Sequence, residues 1–257
     1  MTIANGFRQF IAEGVFDVAY QPMVDARSRE IVGVEVLARW PKSSPRKLTP
    51  DRFIAIAEEH GLIDGLGALI LQKACGDVTQ WKDLKLAINV SPVQFNSPNL
   101  VPEIKRIAAS NHFDLARLEV EFTEAVLIKN PKRAKEVIRS LQDLSVTVAL
   151  DDFGTGYASV GYLREYAFDK IKLDRSLTHA VSTDLAAQQV IQGTILIAKG
   201  LSSEIIAEGV ETEEEAQLMR LSGCNQLQGF YFGRPQSINA MEPLLTAEDG
   251  RAALVSA

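Results

Sequence analysis

The chain has few cysteines, no long hydrophobic run and no surplus of positive charge. Cys75 and Cys224 are its only cysteines among 257 residues, and both lie in apolar surroundings. They predict buried free thiols, which are typical of a reducing compartment, and no Cys/His spacing indicates structural zinc. No run is long enough to span a membrane, and the first residues do not resemble a signal peptide. We therefore expect a cytoplasmic protein, or the cytoplasmic domain of a longer one, without a membrane segment.

The charge balance limits the partners of the chain. Lys and Arg total 27 against 33 for Asp and Glu, a formal net charge of −6. This deficit argues against binding to a DNA or RNA polymer, but a local site can still bind a small anion. Because 46% of the residues are hydrophobic and no linker-like stretch interrupts the chain, we expect one folded domain over residues 1–257, with its core at about 16–240.

Short β-branched segments alternate with longer amphipathic ones along the chain. The first two predicted strands, 18–24 and 31–37, are separated by only six residues, too few for a crossover, so they should be antiparallel. The later βα rhythm predicts parallel strands, and at this length a modified TIM (β/α)8 barrel with one antiparallel strand fits best. An open doubly wound sheet is less favoured, because no GxGxxG follows a predicted strand. The remaining predicted strands are 86–90, 118–122, 146–150, 170–173, 204–207 and 225–228, and the predicted helices are 50–59, 62–81, 100–110, 131–144, 159–165, 184–201 and 212–221.

Polar side chains recur near the carboxyl ends of successive predicted strands, where a barrel of this class carries its chemistry. Glu35 lies late in the second strand, Glu121 near the end of the fourth, and Asp151-Asp152 directly after the fifth. Burying a polar group is costly unless it is paired or binds a metal, so the repeated placement favours a site. The full set is Glu35, Asn89, Glu121, Asp151, Asp152, Lys172, Glu208 and Gln228.

The chemistry of this set indicates a metal site. Carboxylate and amide oxygens suit Mg²⁺ or Mn²⁺ better than zinc. Four or five carboxylates in one mouth carry more negative charge than one divalent ion neutralises. Asp151 and Asp152 could supply a bridging and a terminal ligand, which predicts a two-metal hydrolytic site. Lys172 could position the attacking water or support the developing charge.

Structural interpretations stay open for several of these positions. Glu119 fits an outward partner of Glu121 as well as a ligand, and Asp174-Arg175 fits a turn or a salt bridge. Asp151-Asp152 could simply end a strand before a glycine-rich turn. Taken singly, each carboxylate favours a structural role, and only the shared placement favours the metal site.

Eight short motifs contain or adjoin these positions: Tyr20-Gln21-Pro22, Glu35-Val36-Leu37-Ala38-Arg39-Trp40, Asn89-Val90-Ser91-Pro92, Glu121-Phe122-Thr123-Glu124, Asp151-Asp152-Phe153-Gly154-Thr155-Gly156-Tyr157, Ile171-Lys172-Leu173-Asp174, Ala207-Glu208-Gly209-Val210-Glu211-Thr212 and Gln228-Gly229-Phe230. One motif alone would be weak evidence of a family, but all eight occur together, in the order in which they occur in a known family. From about residue 16 to 235 the chain resembles the EAL domain, the family of cyclic di-GMP phosphodiesterases.

The resemblance implies a modified (β/α)8 barrel that hydrolyses cyclic di-GMP to linear pGpG with two Mg²⁺ or Mn²⁺ ions. It implies that Glu35, Asn89, Glu121 and Asp151 hold one ion, and that Asp151 bridges to a second held by Asp152 and Glu208. It further implies a homodimer. By the same resemblance, Lys172 contacts the attacking water, Glu124 steadies the loop after Asp152, and the substrate-binding residues are Gln21, Leu37, Arg39, Gln228 and Glu211.

Two departures from the family pattern leave the ligands in place. The signature reads Glu-Val-Leu where the family has alanine at Val36, and the later loop has Ala158 where a serine is more usual. We expect an active enzyme, with an altered rate if the loop is looser. A catalytically silent cyclic di-GMP receptor acting through a partner is the alternative, and a barrel enzyme acting through an enolate is a distant third. Control by regulatory domains outside this chain is a further possibility.

Overall fold

A computed structural model describes residues 3–44, 47–154 and 160–246, and its eight strands form a closed barrel. Each strand pairs with the next, and the last pairs with the first. The first strand is antiparallel to both of its neighbours, while all other neighbouring strands are parallel. The predicted fold class is confirmed. The strands are β1 Asp17–Asp25, β2 Ile31–Arg39, β3 Lys85–Asn89, β4 Leu118–Thr123, β5 Thr147–Phe153, β6 Lys170–Leu173, β7 Glu204–Ala207 and β8 Gln226–Gln228.

Helices connect most of the parallel strands and cover the outside of the barrel. The seven predicted helices are present, with ends shifted by a few residues, as at α3, which ends at Val78 rather than at residue 81. The helices are α1 Ile3–Ala12, α2 Pro50–Glu59, α3 Ile63–Val78, α4 Pro92–Phe95, α5 Leu100–Ser110, α6 Ala125–Lys129, α7 Pro131–Gln142, α8 Val160–Tyr166, α9 Arg175–Ala180, α10 Leu185–Gly200, α11 Glu213–Ser222 and α12 Ile238–Leu245, with a 3-10 turn at Leu115–Arg117.

Two of the helices that the sequence did not predict lie near the ends of the described chain. Gly6 weakens the helix propensity of α1, and Pro243 lies inside α12, so each segment contains one residue that disfavours a helix. Packing supplies what propensity lacks, because Phe7 of α1 is fully buried against the rings of Phe16 and Trp40. None of the helices in the described ranges is long and apolar enough to cross a membrane.

Helix starts follow local hydrogen-bonding rules. Thr49 is the N-cap residue of α2 and Pro50 opens the helix, although the Thr49 side chain makes no capping hydrogen bond. Asp174 caps α9 by accepting a hydrogen bond from the Ser176 amide. The pair Asp174-Arg175 is therefore a helix start rather than a turn or a salt bridge.

The two faces of the barrel wall differ in character. On β4, Leu118, Val120 and Phe122 belong to the hydrophobic core between strands and helices. Glu119 and Glu121 occupy the alternate positions and point into the barrel, since residues two apart share a face of a strand. The interpretation of Glu119 as an outward partner of Glu121 is therefore wrong.

Candidate functional site

Glu35 is held at the barrel mouth by amide groups from two other strands. Its Oε1 accepts a hydrogen bond from Asn89 Nδ2 at 2.5 Å, and its Oε2 accepts one from Gln228 Nε2 at 2.6 Å. Gln228 Nε2 also lies 3.4 Å from Gln21 Oε1. Strands β1, β2, β3 and β8 therefore bring four of the predicted site residues into one hydrogen-bonded chain.

Lys172 occupies the centre of the acidic cluster and is completely buried. Its Nζ lies 2.7 Å from an oxygen of Glu121 and 2.7 Å from one of Glu208. Asp151 Oδ1 is 3.6 Å away and Glu35 Oε2 3.8 Å away. One ammonium group therefore faces four carboxylates, which come from β2, β4, the end of β5 and the residue after β7.

The imbalance of charge shifts the ionisation of these groups. Burial raises the pKa of Glu121 well above its ordinary value and that of Glu208 to about 8. Burial alone would lower the pKa of Lys172, but the surrounding carboxylates outweigh it and raise that pKa well above its ordinary value. Burial, followed by the charge of Asp151, also raises the pKa of Asp152. The site thus binds protons when no other cation is present.

The same geometry fits divalent cations. One oxygen from each of Asp151, Asp152 and Glu208 lies within 4.8 Å of the other two. Glu121 Oε1 is buried and has no hydrogen-bond partner among the described residues, so it is available as a ligand. Hard oxygen donors of this kind are the ligands that Mg²⁺ and Mn²⁺ prefer. Asp151, Asp152 and Glu208 are therefore close enough to one another, and of the right chemistry, to hold a metal ion.

The backbone at the end of β5 bends so that both aspartates belong to the site. Asp152 has φ of +56°, a left-handed conformation that aspartate tolerates better than most residues. Its amide donates to Asp151 Oδ1 at 2.9 Å, and the pairing of β5 with β6 is irregular between Leu150 and Phe153. This bend explains how two successive residues can both contribute an oxygen to one cluster.

Two cavities flank the acidic cluster and share Asp152 in their walls. One, of about 410 Å³, is lined by Gln21, Glu208 and Glu211 among others from the β1 and β6–β8 side. The other, of about 840 Å³, includes Leu37 and Arg39 and extends between the barrel mouth and helices α2, α3 and α5. The acidic cluster therefore lies between two spaces, either of which could receive part of a ligand.

The remaining predicted residues lie around this centre rather than in it. Glu124 is nearly buried at the N-terminus of α6, and Glu211 is exposed, with its amide donating to Glu215 Oε2 at 2.7 Å. Val36 is buried in the core on the opposite face of β2 from Glu35, so the departure from alanine leaves the ligand untouched. Ala158 lies outside the described residues, and its effect stays a prediction.

Sequence reasoning assigned no role in the site to Arg175 or Phe230, which line the smaller cavity. Arg175 packs against Gly209, where a Cβ would lie 2.3 Å from Arg175 Cβ and where φ is +68°. Phe230 is 42% exposed, and the Arg234 guanidinium lies 4.3 Å from its ring centroid. Two features of the sequence could have identified these residues. One is Gly209, the glycine after Glu208, and the other is the aromatic side chain of Phe230 just after the last strand.

Comparisons with known proteins identify the family of the chain and its relatives. A family model described as EAL domain matches residues 4–235. An uncharacterized signaling protein of Caulobacter vibrioides is 38% identical over 248 residues, covering 96% of this chain and 31% of that protein. A cyclic di-GMP phosphodiesterase of Pseudomonas aeruginosa is 35% identical over 249 residues, covering 95% of this chain and 42% of that protein.

A solved structure is also similar to this chain over most of its length. The PaMucR phosphodiesterase in complex with c-di-GMP superposes with a TM-score of 0.86 and 30% sequence identity, covering 92% of this chain and 98% of the other. The chain spans between 28% and 42% of the length of eight curated relatives that it matches.

Proposed function

This chain belongs to the EAL domain family, and we propose that it hydrolyses cyclic di-GMP to linear pGpG with two divalent cations, Mg²⁺ or Mn²⁺. The observation that carries this proposal is the convergence of four carboxylates on one buried lysine. A cluster with this excess of negative charge binds protons or cations, and its oxygens suit hard cations. The c-di-GMP complex of the related PaMucR phosphodiesterase supports the choice of substrate.

The ligands divide into two groups around Asp151. We assign Glu35, Asn89, Glu121 and Asp151 to one cation, and Asp151, Asp152 and Glu208 to the other, for which the mutual oxygen distances within 4.8 Å give support. Bound divalent cations supply Lewis-acid activation of water and stabilisation of the leaving oxygen. The Asn89 and Gln228 amides orient Glu35 by donating to its two oxygens.

The protein side chains position the reactants. The Lys172 ammonium remains charged in its carboxylate surroundings, and it holds the attacking water by a hydrogen bond and opposes the charge that develops on the phosphate. Arg39 pairs with a phosphate through its planar guanidinium, which stays protonated although burial lowers its pKa. Gln21, Leu37, Gln228 and Glu211 contact the substrate, and Glu124 steadies the loop that follows Asp152.

The reaction adds one water to one phosphodiester linkage. The water oxygen bonds to phosphorus as the water loses a proton, the bond from phosphorus to the 3′ oxygen breaks, and that oxygen takes up a proton and leaves as a hydroxyl. The ring opens to a linear dinucleotide with a 5′ phosphate. The two cavities on either side of the cluster support a substrate with two nucleoside lobes.

Several expectations from the family resemblance accompany this proposal. We propose that residues 1–257 form one domain, that the protein is a cytoplasmic homodimer, and that it makes no contact with a DNA or RNA polymer. We also propose control by regulatory domains outside this chain, for which the greater length of the curated relatives leaves room.

The test is incubation of the purified chain with cyclic di-GMP and Mg²⁺ or Mn²⁺, with the product identified by chromatography. The wild type should form pGpG, and Glu35→Ala should abolish turnover while the melting temperature stays close to that of the wild type. Glu136→Ala removes a 68% exposed carboxylate on α7 and is the matched control, with full activity expected. Unchanged hydrolysis in Glu35→Ala would refute the assignment, and binding without product in the wild type would establish the silent receptor instead.

A further inference from the structure

A second buried ion pair lies beneath the acidic cluster, deeper in the barrel. Lys170 Nζ of β6 is 2.6 Å from Glu119 Oε2 of β4, and the two residues are 7% and 1% exposed. Each lies two residues before its counterpart in the site, Lys172 and Glu121. Because residues two apart share a face of a strand, the two pairs form two layers inside the barrel. Lys172 and Glu121 belong to the upper layer, at the site, and Lys170 and Glu119 form the lower layer beneath it.

Both pairs cross from β6 to β4 over the intervening strand β5. Ala149 of β5 is the register partner of Glu121 on one side and of Lys170 on the other, and it is completely buried. Its small side chain leaves room for the lysine side chains to cross. Branched apolar residues usually fill such a barrel interior, so the two ion pairs occupy space that normally holds packing residues.

The lower layer also contacts β8, the strand whose Gln228 side chain hydrogen-bonds to Glu35. Lys170 Nζ lies 3.3 Å from Gln226 Oε1, and Gln226 is two residues before Gln228, which donates to Glu35. Glu119 Oε1 is buried and has no hydrogen-bond partner among the described residues, so Lys170 provides the one described ion pair of this carboxylate. A buried carboxylate that loses its partner attracts any cation within reach.

Lys172 is the cation nearest in sequence on the same face of β6. If Lys170 were neutral, the Glu119 charge would compete with Glu121 and Glu208 for the Lys172 ammonium. We propose that Glu119 and Lys170 are positioning residues, which neutralise each other and so keep Lys172 in the upper layer, where it faces the reacting phosphate. This inference rests on the proposed function for its effect on catalysis, but the position of Lys172 can be measured without it.

The kinetic test uses charge removal and its rescue. Lys170→Met should lower kcat for cyclic di-GMP with Mn²⁺ by about tenfold, as for other residues that orient a catalytic group, and leave KM within about twofold. The double variant Lys170→Met/Glu119→Gln removes both charges and should return kcat to within about threefold of the wild type, since replacing a buried pair by neutral residues is often tolerated. A double variant as impaired as Lys170→Met, or a fully active Lys170→Met, would overturn the proposal.

A spectroscopic test is independent of activity. In metal-free protein labelled with nitrogen-15 lysine, the Lys172 ammonium signal is identified by its loss in Lys172→Met. It should shift in Lys170→Met and return in the double variant, and an unmoved signal in Lys170→Met would contradict the proposal. If Lys170→Met folds poorly by circular dichroism, Lys170→Gln, which keeps a donor for Glu119, replaces it with the same expectations. A wild type inactive on cyclic di-GMP would refute the proposed function alone, because this signal still reports on the pair.

Discussion

The inner and outer faces of the same barrel strands have opposite chemistry. On the outer face of β4 and β6, Leu118, Val120 and Ile171 are buried in the hydrophobic core. On the inner face, Glu121 and Lys172 are equally buried and charged. Apolar burial contributes about 25 cal/mol per Å² to stability, whereas a buried ion pair often contributes little after its desolvation cost. The outer face therefore carries the stability of the fold, and the inner face carries its chemistry.

The strongest way to break this contrast is to remove the central charge of the inner face. We expect Lys172→Met to lower the hydrolysis rate by about a hundredfold to a thousandfold, because the variant loses a group that opposes charge in the transition state. Without metal, four carboxylates would then lack their shared cation, and the melting temperature should fall. Steady-state kinetics and thermal unfolding, each with Mn²⁺ and with chelator, measure both effects. Wild-type kinetics in this variant would show that Lys172 has no part in the reaction.

A truncation on the outer face should have the opposite profile. Leu86 of β3 is completely buried in the core, and Leu86→Ala should cost about 2–5 kcal/mol of unfolding free energy. The specific activity of the folded fraction should stay close to that of the wild type, since Leu86 faces away from the site. Leu196→Ala on α10 is the matched control, because Leu196 is 71% exposed and its truncation should leave the stability almost unchanged. Urea denaturation gives the free energies, and a large loss of kcat in Leu86→Ala would contradict the separation of the two faces.

The inner face also predicts a dependence of stability on pH. Burial raises the pKa of Glu208 from 4.5 to about 8, so the metal-free folded state binds a proton that the unfolded chain has lost in this range. The free energy of unfolding should therefore be highest near pH 4.5 and fall as the pH rises toward 8, by at most about 1.4 kcal/mol per pH unit. Mn²⁺ should remove this decline, because a bound cation replaces the proton. A metal-free stability that rises steadily between these two pH values would contradict the charge balance described for the site.

Two adjacent residues of β1 allow the finest comparison. Tyr20 points outward and donates a hydrogen bond to Asp77 Oδ2 at 2.6 Å, whereas Gln21 lines the smaller cavity. Tyr20→Phe should cost about 1 kcal/mol of stability with kinetics unchanged. Gln21→Ala should instead raise KM by about tenfold at wild-type stability, as for a lost polar contact worth about 1.4 kcal/mol. If Tyr20→Phe and Gln21→Ala changed stability and KM by the same amounts, the two faces of β1 would not have separate roles.

Much of this contrast can be predicted from the sequence. The short β-branched segments and the short first connection predict the strands and the antiparallel β1, because both depend on local pattern. The recurrence of acidic residues at strand ends predicts the cluster around Lys172 before any distance is known. Local pattern cannot reveal how side chains from distant strands pair, so the ion pair between Lys170 and Glu119 emerges only from the structure.

Other features escape prediction because packing overrides local preference. Helix α1 forms around the burial of Phe7 despite Gly6. The position of Arg175 at the smaller cavity depends on its tight approach to Gly209, which requires the three-dimensional arrangement.

The most direct test of the central claim is hydrolysis of cyclic di-GMP in oxygen-18 water, followed by mass spectrometry of the product. We expect pGpG that carries one labelled oxygen in its 5′ phosphate, formed with Mg²⁺ or Mn²⁺ and absent with chelator. Intact cyclic di-GMP after incubation with either cation, or product formed equally well with chelator, would contradict a metal-dependent phosphodiesterase at this site.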